Sequence, residues 1–331
     1  MPPDNSASLP RGGRLNHAIA QNIGLILAGA ILLLAVFGFI LIYGIAQQRL
    51  PGNFELTSTV NSATPLVFAA VGQSFVILTK GIDLSVGGVV DLANAMAAVT
   101  MGKSLGSALA WSVVILLVGA GCGLINGLLV GLGRLQPIVV TLATLSIFQG
   151  VAIRVLPQPG GAIPAGYTNL LVNPGAPYAL IFIGLLALGW FALRRSRIGV
   201  DLYAIGNDEA AARAVGINVL RTKILAYMID GTLAAAAGLF LAASATAGDA
   251  TSGNSYTLSS IVAVVLGGVS LFGGRGSAIG AIAGAFITTL IVDILFFSHV
   301  NPLYQSFYEG AFLLFAVVAG RVIGGAIGRR R

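Results

Sequence analysis

Charged side chains are scarce in this sequence: Asp, Glu, Lys and Arg together make up 9% of its 331 residues. Soluble domains carry roughly 25%, so there is too little charge here to cover a water-exposed surface of this size. Histidine and cysteine are scarcer still. Cys122 is the single cysteine and forms no internal disulfide, and it says nothing of the redox compartment. His17 and His299 are too far apart in sequence to read as a paired-histidine metal motif. A Gly-rich phosphate loop ending in Lys-Ser or Lys-Thr is also missing, so ATP is not bound in that way. No nucleophile–base set marks an intramembrane enzyme. Neither a metal nor a cofactor is expected.

What is present is apolar and glycine-rich: 56% hydrophobic residues, 45 Gly and a mean hydropathy of +0.93. A spanning helix needs roughly 20 mostly apolar residues to cross about 30 Å of hydrocarbon. Ten such stretches follow one another, at 23–45, 57–79, 83–102, 107–131, 137–155, 178–193, 223–246, 257–272, 277–298 and 306–322. The expected fold class is an all-α polytopic membrane protein of about ten transmembrane helices. Asp91 and Asn94 interrupt the third stretch, which makes it the weakest of the ten.

The net charge of +7 would suggest nucleic acid in a soluble chain. Here the basic residues flank spans, so they set topology and attract anionic lipid, and no nucleic-acid partner is expected. With both termini cytoplasmic, 15 of the 18 Lys and Arg residues fall inside, leaving Arg49, Lys103 and Arg154 outside. Omitting the third span would scatter them over both faces. The expected organisation is a disordered cytoplasmic tail over 1–22, a permeation domain over 23–322, and a basic tail over 323–331 that contacts lipid. The run 23–45 is about twice a secretory h-region, so it reads as an uncleaved first helix.

Gly119, Gly123, Gly127 and Gly131 recur every four residues in the fourth span, and Gly276, Gly280 and Gly284 do so at the ninth. Small-residue stripes let helix backbones approach closely in lipid. Five spans separate the two stripes, which suggests an inverted internal repeat.

Two polar segments stand out. In the loop 194–222, Asn207 or Asp208 can cap a short helix over 209–215, with Glu209 and Arg213 paired at i,i+4 and Gly216 stopping it. Ala210 and Ala211 give that helix a small, smooth face that fits a groove on a partner; a plain solvated connector is the competing reading. The second segment, residues 79–88, places Asp83 and Ser85 where they can cap the third span, while Gly81 and Gly87 allow a sharp turn and close packing. Leu84 lies between those two caps. Polar residues inside spans are candidates for a solute path: Asp91, Asn94, Asn126, Gln149, Asp230 and Asp293. The charge-free outer loop 156–177 holds Pro157, Pro159, Pro164, Pro174 and Pro177, and reads as a docking surface or a stiff connector.

Three stretches carry a family resemblance: GIDLSVGGVVDLANAMAA (81–98), AIGNDEAAARAVGINV (204–219) and LSSIVAVVLGGVSLFGGRGSAIGAIAGA (258–285). Over about 45–322 the chain resembles the inner-membrane permease subunits of bacterial ATP-binding-cassette importers for monosaccharides, the ribose-type branch. The resemblance implies a permease dimer enclosing the solute path, a cytoplasmic ATPase receiving the coupling helix 208–216, and a periplasmic sugar-binding protein delivering solute. A nucleoside, a polyol or a branched-chain amino acid are alternative solutes. An ion-coupled secondary transporter, which would also use inverted repeats and intramembrane acids, is the alternative outside the family.

Overall fold

The structure is a computed structural model and describes residues 11–301 together with 304, 307, 308, 310, 311 and 314. Among these residues there are helices and loops and no strand; one isolated bridge pairs Gly160 with Gly248. The helices are α1 (Arg11–Gln47), α2 (Asn53–Leu78), α3 (Val86–Thr100), α4 (Leu105–Gly131), α5 (Pro137–Val155), α6 (Ala165–Leu171), α7 (Ala179–Arg194), α8 (Arg197–Asn207), α9 (Glu209–Ala214), α10 (Val219–Ala245), α11 (Asn254–Leu266) and α12 (Ala278–Phe297). α1 starts at Arg11, within the stretch expected to be a tail. The expected span 306–322 and the basic tail lie outside the described residues, apart from isolated positions.

Nine of the ten expected spans have a helix at their place, but they are not equal. Among the described residues six helices are long and apolar enough to cross a membrane, and α7 with α8 makes a seventh candidate bent by 75°. Two further apolar helices, α3 and α11, are shorter, with 15 and 13 residues. At 1.5 Å per residue they reach only about 22 and 20 Å. Their first turns pack against each other. The Asp91 carboxylate accepts the Gly253 amide at 2.5 Å, just before α11 begins, and a Cβ built on Gly87 would strike the Gly253 carbonyl. Broken helices of this kind are tolerated at depth where protein satisfies their free backbone ends.

Glycine sets the packing. α4 lies along α10 through Gly119, Gly123, Gly127 and Gly131, whose built Cβ atoms would meet Gly231, Tyr227, Ile224 and Leu220 in turn. α12 lies along α11 in the same manner, Gly280 against Gly267 and Gly284 against the Ala263 carbonyl. α4 and α3 pack on α10, α12 and α11 pack on α2, α3 touches α4, α11 touches α12, and α2 and α10 touch each other. Exchanging α2 with α10, α3 with α11 and α4 with α12 leaves that set of packings unchanged.

The fold separates the basic residues. Lys80, Arg134, Arg194, Arg195, Arg197, Arg213, Arg221, Lys223 and Arg275 lie at the end of the bundle that carries α9. Arg49, Lys103 and Arg154 lie at the other, where α6 and the proline-rich loop sit. That loop is tied down by the Gly160–Gly248 bridge, by Ala162 N–H to the Ala98 carbonyl (3.2 Å) and by the Tyr167–Ser112 hydroxyl pair (2.7 Å).

Overpacking a close helix contact costs about 1–3 kcal/mol. Gly123→Leu should therefore lower the thermal stability of the detergent-solubilised protein, because the new side chain meets the Tyr227 backbone. Gly121→Leu, on the same helix with nothing within 4 Å of its built Cβ, should leave the melting temperature unchanged.

Candidate functional site: the junction beneath helix α9

α9 is six residues long, and its sequence explains both ends. Asp208, in extended conformation, accepts the Ala210 and Ala211 amides at 2.9 and 3.0 Å, satisfying donors that the first turn leaves free. The Ala211 and Ala210 amides hold the Asp208 carboxyl below the usual carboxylate range. At the other end Gly216 takes φ +88°, with its N–H on the Arg213 carbonyl (3.1 Å). Glu209 is gripped by Lys223 at 2.7 Å and Arg213 at 3.0 Å, and the Lys223 contact is the larger cause of its lowered pKa. Ala212 is the buried residue of α9, packed with Ile205 and Val219; Ala210, Ala211, Ala214 and Val215 face outward. Val215 is 77% exposed.

The base of α9 is joined to two distant segments. Gly206 lies against the Leu78 carbonyl and the Gly274 backbone so closely that no Cβ fits. Gly274 N–H donates to the Leu78 carbonyl (3.1 Å), Lys80 Nζ to the Asn207 carbonyl (3.1 Å) and Asn207 Nδ2 to the Gly274 carbonyl (3.4 Å). The 79–88, 204–219 and 258–285 segments therefore converge on one junction.

From Leu78 the chain turns inward into a buried polar box. Asp83 accepts the Ser85 amide at 2.7 Å, and Asn126 Nδ2 donates to Ser85 Oγ (2.7 Å) and to Asp83 Oδ2 (3.4 Å). Gln73, in the amide orientation that satisfies both groups, donates to the Asp83 carbonyl (3.1 Å) and accepts its N–H (3.2 Å). Asp230 of α10 stands beside Asp83, fully buried, against Gly72. Gly81 lets the Tyr227 hydroxyl approach the turn. The expectation that Ser85 caps α3 is corrected: it holds the N-cap position with αR geometry, and its hydroxyl accepts from Asn126 instead of from the helix. Leu84, half-buried, and Gly87, which α11 approaches, complete this turn.

The pathway candidates divide into separate places. Asn126 and Asp230 belong to the box. Asp91 and Asn94 are buried on α3 and accept the Gly253 and Asp249 amides, the latter at 2.7 Å. Gln149 bonds Asn254 at an exposed position (2.8 Å), and Asp293 accepts the Thr59 hydroxyl (3.1 Å). Sequence reasoning missed α8 and the 270–277 loop as parts of the site. The amphipathic run after Ser196 and the glycines 273, 274 and 276, all at positive φ, were the available signals. Among the described residues, no group of His, Cys, Asp and Glu is arranged to hold a metal.

Residues 56–317 match the family model described as the branched-chain amino acid transport system permease component. The chain belongs to this family of transport permeases. It is 33% identical to the ribose import permease of Haemophilus influenzae over 298 residues, covering 86% of this chain and 91% of that protein. The Escherichia coli K12 ribose import permease is 32% identical, with 86% and 92% covered. An autoinducer 2 import system permease from Enterobacter is 34% identical, with 88% and 85% covered. No solved structure shows a significant match. The chain is thus a multi-pass membrane permease subunit.

Because the Asp208 pKa is lowered by folding, the cap is complete above the unfolded value of about 3.9 and is lost as pH falls through the lower folded value. Hydrogen exchange of the 210–214 amides, corrected for intrinsic rates, should stay constant from neutral pH to about 5 and rise only below about 4. Asp208→Ala should speed it severalfold at neutral pH.

Proposed function

We propose that this chain is the permease subunit of an ATP-driven, binding-protein-dependent sugar importer of the bacterial inner membrane. The observation that carries the reading is α9: a capped helix that presents an exposed alanine face, seated on the start of α10 and, through Gly206 before it, joined backbone to backbone to α2 and to the loop before α12. A transporter driven by an ion gradient has no use for such a rod. A separate motor does, because the chain contains no phosphate loop of its own.

In this reading α9 lies in a cleft of a cytoplasmic ATP-binding-cassette ATPase. The basic residues gathered at the α9 end support a cytoplasmic assignment for that end by the positive-inside rule, with both termini assigned to the same side. Ala210, Ala211 and Ala214 admit close approach, while Glu209, Arg213 and Lys223 keep the rod from rolling on its base. When the ATPase closes on nucleotide, the displacement of α9 passes through Gly206 to Leu78 and Gly274. Leu78 leads directly into the turn that carries Asp83 and opens α3, so the rod and the part-spanning helix move as one two-state element.

The solute path is assigned to the interface of two permease copies. Within one copy an open crevice of about 380 Å³ between α2, α7 and α10 is walled by Phe68, Phe75, Phe182, Leu186, Trp190 and Ile229. Sugar hydroxyls find no partners there. Four of the six pathway candidates are fully buried, and Asp91, Asn94 and Asn126 already bond to protein groups. Gln149, half-buried beside the exposed Asn254, remains the candidate best placed to meet solute. A periplasmic sugar-binding protein docks at the opposite end, where α6 and the tethered proline loop form a firm platform. The exchange of helix contacts supports an inverted repeat relating α2–α4 to α10–α12. Such a repeat fits a total of ten spans.

Glu209→Lys puts a third cation between Arg213 and Lys223, and Gly216→Pro forces φ near −65° where the chain needs +88°. Either change should abolish sugar uptake by cells while leaving the amount of inserted permease unchanged. Wild-type uptake in both variants would remove α9 from the mechanism.

A further inference from the structure

We propose that the loop 270–277 is a second docking element for the nucleotide-hydrolysing partner, with Phe272 as its apolar anchor beside α9. The proposal rests on the ATP-driven reading above and adds a contact that α9 alone does not supply.

Phe272 is 73% exposed, although the bundle offers ample apolar surface to receive it. Its exposure is enforced by backbone geometry. Ser270 N–H bonds the Arg275 carbonyl (3.0 Å), Gly273 N–H the Ser270 carbonyl (3.0 Å) and Phe272 N–H the Ser270 hydroxyl (3.2 Å). Gly273, Gly274 and Gly276 hold φ of +76°, +67° and +121°, conformations that side-chain-bearing residues adopt at a cost. Helices α7 and α8 brace the loop from behind, through Trp190 Nε1 to Ser277 Oγ (3.0 Å) and the Tyr203 hydroxyl to the Gly276 carbonyl (2.5 Å). A tight turn held from three sides presents one aromatic ring outward.

The ring is near α9. Phe272 is two Cα steps of about 3.8 Å from Gly274, whose backbone abuts Asn207, the residue before the Asp208 cap. The two sites are therefore within about 17 Å of each other, well inside one standard protein interface. Exposed polar residues lie close by: Lys80 against Gly273, Asn207 against Gly274, and Arg275 three residues on in the same loop. Aromatic residues ringed by polar ones are what interface hot spots look like. Membrane-interface belts instead favour Trp and Tyr, whose rings carry a polar tip that Phe lacks. The excess of exposed Lys and Arg around α9 fits a partner whose pocket has an acidic rim. Rigidity matters as much as chemistry, since a preordered anchor loses little entropy on binding.

The test is site-specific photocrosslinking in the full-length permease, expressed in cells with its transport system. A benzophenone side chain is placed at 272, at 211 on α9, and at Leu117, an exposed position on α4. The expected result is a crosslink from both 211 and 272 to one protein, identified by mass spectrometry as bearing the phosphate-loop sequence, and none from 117. If 211 crosslinks to that ATPase and 272 reaches only lipid or nothing, this proposal falls and the reading of α9 stands. If neither reaches an ATPase, the reading of function falls with it. A second measurement closes the case of a permissive geometry. F272A should reduce ATPase retention on washed membranes about tenfold, the loss expected for an aromatic hot spot, and F272W should retain it. Unchanged retention in F272A would overturn the anchor role.

Discussion

Gly206 lacks a side chain where three distant parts of the chain meet backbone to backbone, and the mechanical logic of the protein depends on that contact. Its Cα faces the Leu78 carbonyl and the Gly274 backbone, with no room for even a methyl group. Lys80 and Asn207 close the junction from the side. In lipid there is no hydrophobic drive between helices, so van der Waals approach and interhelical hydrogen bonds determine which surfaces stay together. A junction of carbonyl and amide groups in direct contact is stiff, because any displacement leaves buried polar groups unpaired. The same device recurs where Gly123 meets Tyr227 and where Gly284 meets Ala263.

This stiffness links the outside of the molecule to its inside. α9 is outside, a rod with its carboxylate cap and its ion pairs. Inside is the box of Asp83, Ser85, Asn126, Gln73 and Asp230, in which three helices and a turn share hydrogen bonds. Between them are only two residues of chain after Leu78, Thr79 and Lys80, and then the Gly81 turn. Buried polar groups of this kind are costly in hydrocarbon and specify one arrangement when satisfied. A shift of α9 relative to the bundle has no soft element in which to dissipate before it reaches the start of α3.

Much of this was legible in the sequence, for physical reasons. Long apolar runs without charge have one solution in a bilayer, so the long spans and the division of basic residues follow directly. The α9 helix was legible because Asp208, the alanines and Gly216 stand in the order that a capped helix requires. The part-spanning lengths of α3 and α11 were not legible. Their apolar content continues past their ends, and only the tertiary contact of Asp91 with Gly253 shows that their first turns pack on each other. Nor was the role of Ser85. A cap residue is recognised by its distance to a helix start, and nothing local reveals that Asn126, 41 residues away, would claim its hydroxyl. The intramembrane acids were recognisable as unusual, but their partners are backbone amides and hydroxyls of distant segments, which a pattern of residue types does not encode.

The account makes Gly206 the point through which the motor acts on the membrane helices. The direct measurement uses Gly206→Ala permease reconstituted in liposomes with its ATPase and binding protein. The account predicts that the variant inserts and holds the ATPase at the wild-type level, while loaded binding protein no longer stimulates ATP hydrolysis and sugar no longer enters. Full stimulation and uptake in that variant would contradict it.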